Sequence, residues 1–380
     1  MNLPEPISRR QWLISSGASL AGLALSSRLI NFEAQAQMTP ERLAAVAPVK
    51  ARLSLNENPF GPSPAALAAM LANLSAGKAC RYPYGEVNEL IDLIAKKEGV
   101  APENIVLSVG SGEILETVGG LFGRMKGEAI YASPGYLQLP RAVTANGGKV
   151  IPVPVNAQQE HDLDAMAAQV VGASSVVYIA NPNNPTGTVV NTAALAAFVK
   201  EVSKKAFVLL DEAYLDIADN YAGRTLVGLV NEERNLLVAR TFSKIHGLAG
   251  MRIGYGVTSR KFAAQLRNSA LGTLTSPSIA GAVASLQDTG FVAASRAKIV
   301  AEKEKLLALL RELGRPYAES QTNFVFFRTG RPHAEVAAAM MKESVSIARA
   351  FPPMTDWARL SIGLPEENAL ARAALRKVLG

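Results

Sequence analysis

Between residues 105 and 239 the chain repeats one pattern, and that pattern leaves few folds open. Segments 176–180, 207–210 and 236–239 are almost wholly apolar, as strands covered on both faces must be. Residues 105–109, 128–132 and 149–155 read as further strands. Amphipathic helical stretches separate them at 114–122, 136–145, 163–170 and Thr192–Val202. Such alternation predicts an α/β domain with a mostly parallel sheet between helices, open to ligands at its strand ends. After Ser276 the pattern changes. Long helices at 279–288 and 292–313 precede short strands at 323–327 and 357–362, which frame a helix at His333–Lys342. This predicts a smaller α+β domain, with the boundary near 272.

The strand ends carry the polar residues. Thr241-Phe242-Ser243-Lys244-Ile245-His246-Gly247 follows the run at 236–239, with Arg252 eight residues after Lys244. One lysine among small hydroxyl residues, followed by glycines and an arginine, suits an amine that holds an aldehyde cofactor whose phosphate the hydroxyls and arginine grip. Gly110-Ser111-Gly112 joins a strand to a helix start, where backbone N–H groups and the helix dipole can hold a phosphate. Asn181-Pro182-Asn183-Asn184-Pro185-Thr186-Gly187 presents Asn184 from a run of turn residues. Asp211 closes an apolar strand and needs a cationic or N–H partner, which a protonated pyridine nitrogen would supply. Read singly, these stretches are also ordinary turns and an N-cap aspartate.

The N-terminus has a different character. Ser8-Arg9-Arg10-Gln11-Trp12-Leu13-Ile14 leads into a modestly apolar run to residue 25, and Ala34-Gln35-Ala36 is a small-x-small cleavage pattern. Paired arginines before such a run resemble a twin-arginine export signal. Residues 1–36 are therefore expected to be an export signal peptide recognised by export machinery, with the mature protein periplasmic; the alternative is an ordinary amphipathic N-terminal helix on a cytoplasmic protein. The run is too short and interrupted for a stable membrane span. The net charge of +7 is spread along 380 residues without a basic block, which argues against a nucleic-acid partner. Cys80 is the only cysteine, so no intramolecular disulfide forms, and His161, His246 and His333 lack metal-ligand spacing.

The lysine stretch and the other polar strand ends, with four blocks in order, Leu55-Asn56-Glu57-Asn58-Pro59, Arg81-Tyr82-Pro83, Asn181–Gly187, and Arg359-Leu360-Ser361-Ile362-Gly363 with Glu367-Asn368, resemble the class I/II aminotransferases dependent on pyridoxal 5'-phosphate. These are fold-type I enzymes, and the nearest resemblance is to the histidinol-phosphate aminotransferase branch. The resemblance implies an N-terminal arm over 37–72 that contributes to the small domain and to a dimer contact, a large cofactor-binding domain over 73–272 and a small domain over 273–380. It implies a transaminase moving an amino group between an amino acid, or an amino-alcohol phosphate such as histidinol phosphate, and a 2-oxo acid. Lys244 then forms the Schiff base and shuttles the proton. Asp211 pairs with the pyridine N–H, Asn184 and Tyr214 bond the ring's phenolic oxygen, and Tyr136 stacks on the ring. Ser111, Gly112, Thr241, Ser243 and Arg252 bind the phosphate, joined by Tyr82 from the other subunit of a homodimer. Arg359 clamps the substrate carboxylate, and Arg349 and Asn56 also face the substrate.

Some positions depart from that branch. Gly112 stands where Asp is usual, Leu139 where Tyr is frequent, and the stretch Ala350-Phe351-Pro352-Pro353-Met354-Thr355-Asp356-Trp357 between the two arginines differs from the expected loop. A decarboxylase or lyase of the same fold, and a non-catalytic protein that binds the cofactor, are the alternatives to transamination.

Overall fold

Strand ends converge because six of the seven strands of the central sheet run parallel. The computed structural model describes residues 49–232, 235–269 and 272–380, and Lys50–Gly380 form one unit. Residues 1–36, where an export signal with Arg9 and Arg10 is expected, and the start of the expected arm lie outside the described residues. The sheet has the order β2-β8-β7-β6-β5-β3-β4. Its strands are β2 (Ile105–Ser108), β3 (Glu128–Ser133), β4 (Lys149–Pro154), β5 (Ser175–Ala180), β6 (Phe207–Asp211), β7 (Leu236–Thr241) and β8 (Gly254–Thr258). Every residue of β5, β6 and β7 is buried, as their apolar sequences require. In register, Ala180 lies beside Asp211 and Asp211 beside Ala239, which lines up the polar ends.

The antiparallel strand β8 sits between β2 and β7. Its sequence, Gly-Tyr-Gly-Val-Thr, has no apolar run to announce it. Helices cover both faces of the sheet. Thr192–Val202 and His333–Lys342 have the bounds read from the sequence. The helix expected over 136–145 instead starts at Gln138, with Pro140 in its first turn, and leaves Tyr136 outside it.

A second layer joins the N-terminal arm to the C-terminal part. The strand β1 (Ala51–Leu53) pairs in parallel with β10 (Val345–Ile347), and β9 (Phe324–Arg328) pairs antiparallel with β11 (Trp357–Ser361). Ala51 and Leu53 are buried in one cluster with Phe324, Val345, Leu360 and Leu375. The helix Ser276–Gln287 instead buries Ile279 and Ala282 with Met70, Leu90 and the strands of the large sheet.

Two buried histidines make stability pH-dependent. Burial lowers the pKa of both His161 and His246 to about 4, against opposing help from the Ala180 carbonyl and Asp216 respectively. Between pH 6.5 and 4 the unfolded chain takes up protons that the folded chain refuses, so stability falls as pH drops through that window. The loss between pH 7 and pH 5 should be about 2 kcal/mol per histidine. Urea unfolding at the two pH values should show a smaller loss for His161→Gln than for the wild type. Equal losses would show that His161 does not carry this term.

Candidate active site

A cavity of about 630 Å³ opens at the C-terminal ends of β5, β6 and β7. β6 and β7 end on Asp211 and Thr241 there, the loops after the three strands add Asn184, Tyr214, Ser243 and Lys244, and Ser111, Gly112, Tyr136 and Arg252 line it as well. Arg349, Arg359 and Asn56 come from the second layer. Every site residue named from the sequence lies there except Tyr82. That residue stands 72% exposed outside the cavity, its ring 5.9 Å from that of Tyr84, just before the helix Tyr84–Glu98.

Lys244 Nζ donates to the carbonyls of Asn56 at 3.2 Å and Leu55 at 3.4 Å, and lies 5.3 Å from the centre of the Tyr214 ring. Tight backbone contact holds this loop. Gly247 has φ +69°, and a Cβ there would stand 2.1 Å from the Gly61 carbonyl oxygen, so only glycine fits. Asn56 takes a left-handed φ of 56°, which asparagine tolerates. From there its Nδ2 donates to Tyr214 Oη at 3.0 Å, while the Ser361 hydroxyl donates to its Oδ1.

Asp211 is buried. Its Oδ2 accepts from Tyr178 Oη at 2.9 Å and its Oδ1 from the Ala213 N–H at 3.2 Å. Burial raises its pKa, and these hydrogen bonds and the Lys244 charge oppose the rise. A cationic N–H placed against it would complete its partners.

The other end of the cavity is built for an anion. The helix Ser111–Arg124 starts there, directing its first N–H groups outward. Glu113 accepts from the N–H of Val109 and of Gly272, which fixes the loop before the helix. Gly110 has φ +82°, and a Cβ there would stand 2.4 Å from Arg252 Nη2, so the glycine leaves room for the guanidinium. Arg252 Nη1 donates to Ser243 Oγ and to the Ala249 carbonyl.

Arg359 is buried and donates from Nη1 to Asn184 Oδ1 and from Nη2 to the Ser54 carbonyl at 2.8 Å. Its Nε is buried without a partner, and burial lowers its pKa to about 10. Since arginine only donates, the bond fixes Asn184 with its oxygen toward Arg359 and leaves Nδ2 as the remaining donor. The Phe351 ring meets both arginines, its centre 4.4 Å from the Arg349 guanidinium carbon and 4.9 Å from that of Arg359. Phe351 and Gln138 were not named from the sequence. They line the cavity because of how the loop after Arg349 and a helix start are placed, and neither carries a motif.

Among the described residues no carboxylate lies within ion-pair distance of Lys244, Arg252, Arg349 or Arg359. Four cations thus line one cavity with the buried Asp211 and with Glu57, whose carboxylate pairs with Arg52 at 2.9 Å. Residues 48–375 match the profile of the family described as aminotransferase class I and II. The chain belongs to that family. It is similar to histidinol-phosphate aminotransferases of Limosilactobacillus fermentum, 36% identical over 85% of this chain and 89% of that one, and of Methylobacillus flagellatus, 38% identical over 86% and 88%. Among solved structures it is similar to the histidinol-phosphate aminotransferase of Sinorhizobium meliloti in complex with pyridoxal-5'-phosphate. The TM-score is 0.77 and the identity 27%, over 92% of this chain and 97% of that one. The aminotransferase family and the α/β frame with its mostly parallel sheet agree with the fold-type I architecture expected from the sequence.

The uncompensated cations make a direct prediction. Inorganic phosphate should raise the melting temperature of the cofactor-free protein, with about 1.4 kcal/mol gained at ten times its Kd. In Arg252→Met the gain should largely vanish. A wild-type melting temperature indifferent to phosphate would contradict the assignment of this end of the cavity.

Proposed function

We propose that the protein is a pyridoxal 5'-phosphate-dependent transaminase whose substrates are an amino acid, or an amino-alcohol phosphate such as histidinol phosphate, and a 2-oxo acid. The observation that carries this reading is the presence in one cavity of Lys244, the buried Asp211 and the Arg252 cradle at the helix start. The residues fit the cofactor. Asp211 is a buried carboxylate without an ion-pair partner among the described residues, the bare Gly110 leaves room for Arg252, and Arg359 keeps an unpartnered buried N–H.

When bound, pyridoxal phosphate supplies an electron sink conjugated to its aldehyde carbon. Lys244 would hold that carbon through Nζ and, once released, carry a proton at Nζ beside the substrate. Asp211 would keep the ring nitrogen protonated, its carboxylate fixed by Tyr178 and Ala213. Tyr214 Oη, which accepts from Asn56, and Asn184 Nδ2 would donate to the ring's phenolic oxygen. Ser111, Gly112, Thr241, Ser243 and Arg252 would take the phosphate, and Tyr136 would lie against the ring. Arg359 would hold the substrate carboxylate with its planar fork, with Arg349 and Asn56 beside it.

The assembly and compartment are part of the proposal. Tyr82, exposed outside its own cavity, reaches the phosphate of a second copy in a homodimer. Arg9-Arg10, the apolar run and Ala34-Gln35-Ala36 direct the folded, loaded enzyme to the periplasm, with cleavage after Ala36.

Three outcomes follow. Borohydride reduction of the loaded protein should fix the cofactor on Lys244, and Lys244→Ala should fold yet lose turnover; a label on another lysine in the peptide map contradicts the assignment. Mixing inactive Tyr82→Ala and Lys244→Ala subunits should restore activity, because a mixed dimer keeps one intact site. No recovery in a verified heterodimer would place Tyr82 outside the site. Replacing Arg9 and Arg10 by Lys should hold the enzyme uncleaved and active in the cytoplasm, since guanidinium groups and not charge alone are read. Wild-type processing of that variant would mean a general secretory signal.

A further inference from the structure

The helix Ser111–Arg124 turns a nearly bare face toward the helix Gln138–Ala145. Gly112, Glu116, Gly119 and Gly123 stand four, three and four residues apart, which places them on one side. The two lower glycines are required by contact. A Cβ at Gly119 would stand 2.7 Å from Ala142 Cβ, and one at Gly123 would stand 2.5 Å from the Val143 carbonyl oxygen. At the top of this face a Cβ on Gly112 would stand 2.7 Å from both amide atoms of Gln138. The absence of a side chain at 112 is therefore what lets the Gln138 amide lie across the helix start.

That amide has a fixed orientation. Gln138 Nε2 donates to Glu116 Oε1 at 2.9 Å, and Gln138 Oε1 accepts from Tyr136 Oη at 2.8 Å. An ionised carboxylate only accepts, so the amide nitrogen must face Glu116 and its oxygen must face the tyrosine. Tyr136 is thereby held as a neutral donor. Burial, followed by Tyr214, Asp211 and Glu116, pushes its pKa up to about 12, with Arg252 opposing.

We propose that Gln138 is a positioning residue that sets the ring of Tyr136 over the cavity, and that the missing side chain at Gly112 admits it. The inference rests on the reading of Tyr136 as the ring that lies against pyridoxal phosphate. Gln138 itself acts through Tyr136 and need not touch the reacting atoms.

The test is a double-mutant cycle with wild type, Gly112→Ala, Gln138→Ala and Gly112→Ala/Gln138→Ala. Each protein is titrated from the cofactor-free form with pyridoxal phosphate to obtain Kd. The visible circular dichroism of the bound cofactor is recorded, and so is the melting temperature without cofactor. Each single variant should weaken cofactor binding about 3- to 10-fold, the range for one lost neutral hydrogen bond. Both should show the same altered dichroic band. The double variant should bind as Gln138→Ala does, because the added Cβ then has no amide to displace. Gly112→Ala should not melt below the wild type, since alanine is the better helix residue. If Gln138→Ala lowers the melting temperature, Gln138→Met, which keeps the bulk and loses both hydrogen bonds, must reproduce its Kd and band. Additive losses in the cycle, or wild-type binding and dichroism in Gln138→Ala and Gln138→Met, overturn the proposal. A wild-type protein that binds no pyridoxal phosphate would overturn the functional reading instead.

Discussion

The site depends on a buried ion pair that lies outside it. Consecutive residues of an extended chain point to opposite faces, so β6 with Glu212 just after it, and the end of β7, each send one residue to the cavity and one away. Asp211 and Thr241 line the cavity, while Glu212 and Arg240 meet behind them at 2.7 Å. Arg240 is fully buried. It also donates to Tyr221 Oη and Thr225 Oγ1, and Glu98 lies 3.6 Å away, fixed in turn by Tyr255 Oη at 2.6 Å. Glu212 accepts from Thr225 Oγ1 and the Leu226 N–H. Burying these charges is tolerable only because nearly every polar atom is met, and removing one partner of such a pair typically costs about 3–5 kcal/mol. The network ties two strand ends to a helix and to β8, which fixes the spacing between the carboxylate and hydroxyl on the cavity side.

The same logic explains the distribution of charge inside the cavity. Asp211 is satisfied by neutral donors alone, which leaves its charge for a cation, and the cations around it are satisfied by carbonyls and hydroxyls, which leaves theirs for anions. A transaminase needs this division. It must hold a protonated ring nitrogen, a phosphate and a carboxylate at three separated points, with one free amine between them.

The sequence made the large sheet legible because β5, β6 and β7 are apolar on both faces and end in polar residues that have no place in a core. The cavity residues were legible for the same reason, together with the resemblance of four short blocks. Other features depend on partners that no local pattern reveals. Strand β8 exists through its pairing with β2 and β7, and the helix Ser276–Gln287 shows its allegiance to the large sheet only through what Ile279 touches. Tyr136 falls outside its expected helix because the chain enters that helix at Gln138. Phe351 and Gln138 enter the site through tertiary placement, on a loop and at a helix start whose own sequences do not mark them.

The central claim is that Lys244, Asp211 and Arg359 serve amino transfer. It is tested most directly by a single half-reaction. The loaded enzyme is mixed with one amino acid at a time, with no 2-oxo acid present, and the products are counted. The account expects an accepted amino acid to yield its own 2-oxo acid, one per active site and no more, with no release of CO₂. Continuous production of CO₂ or of an amine would contradict it and assign the cavity to decarboxylation.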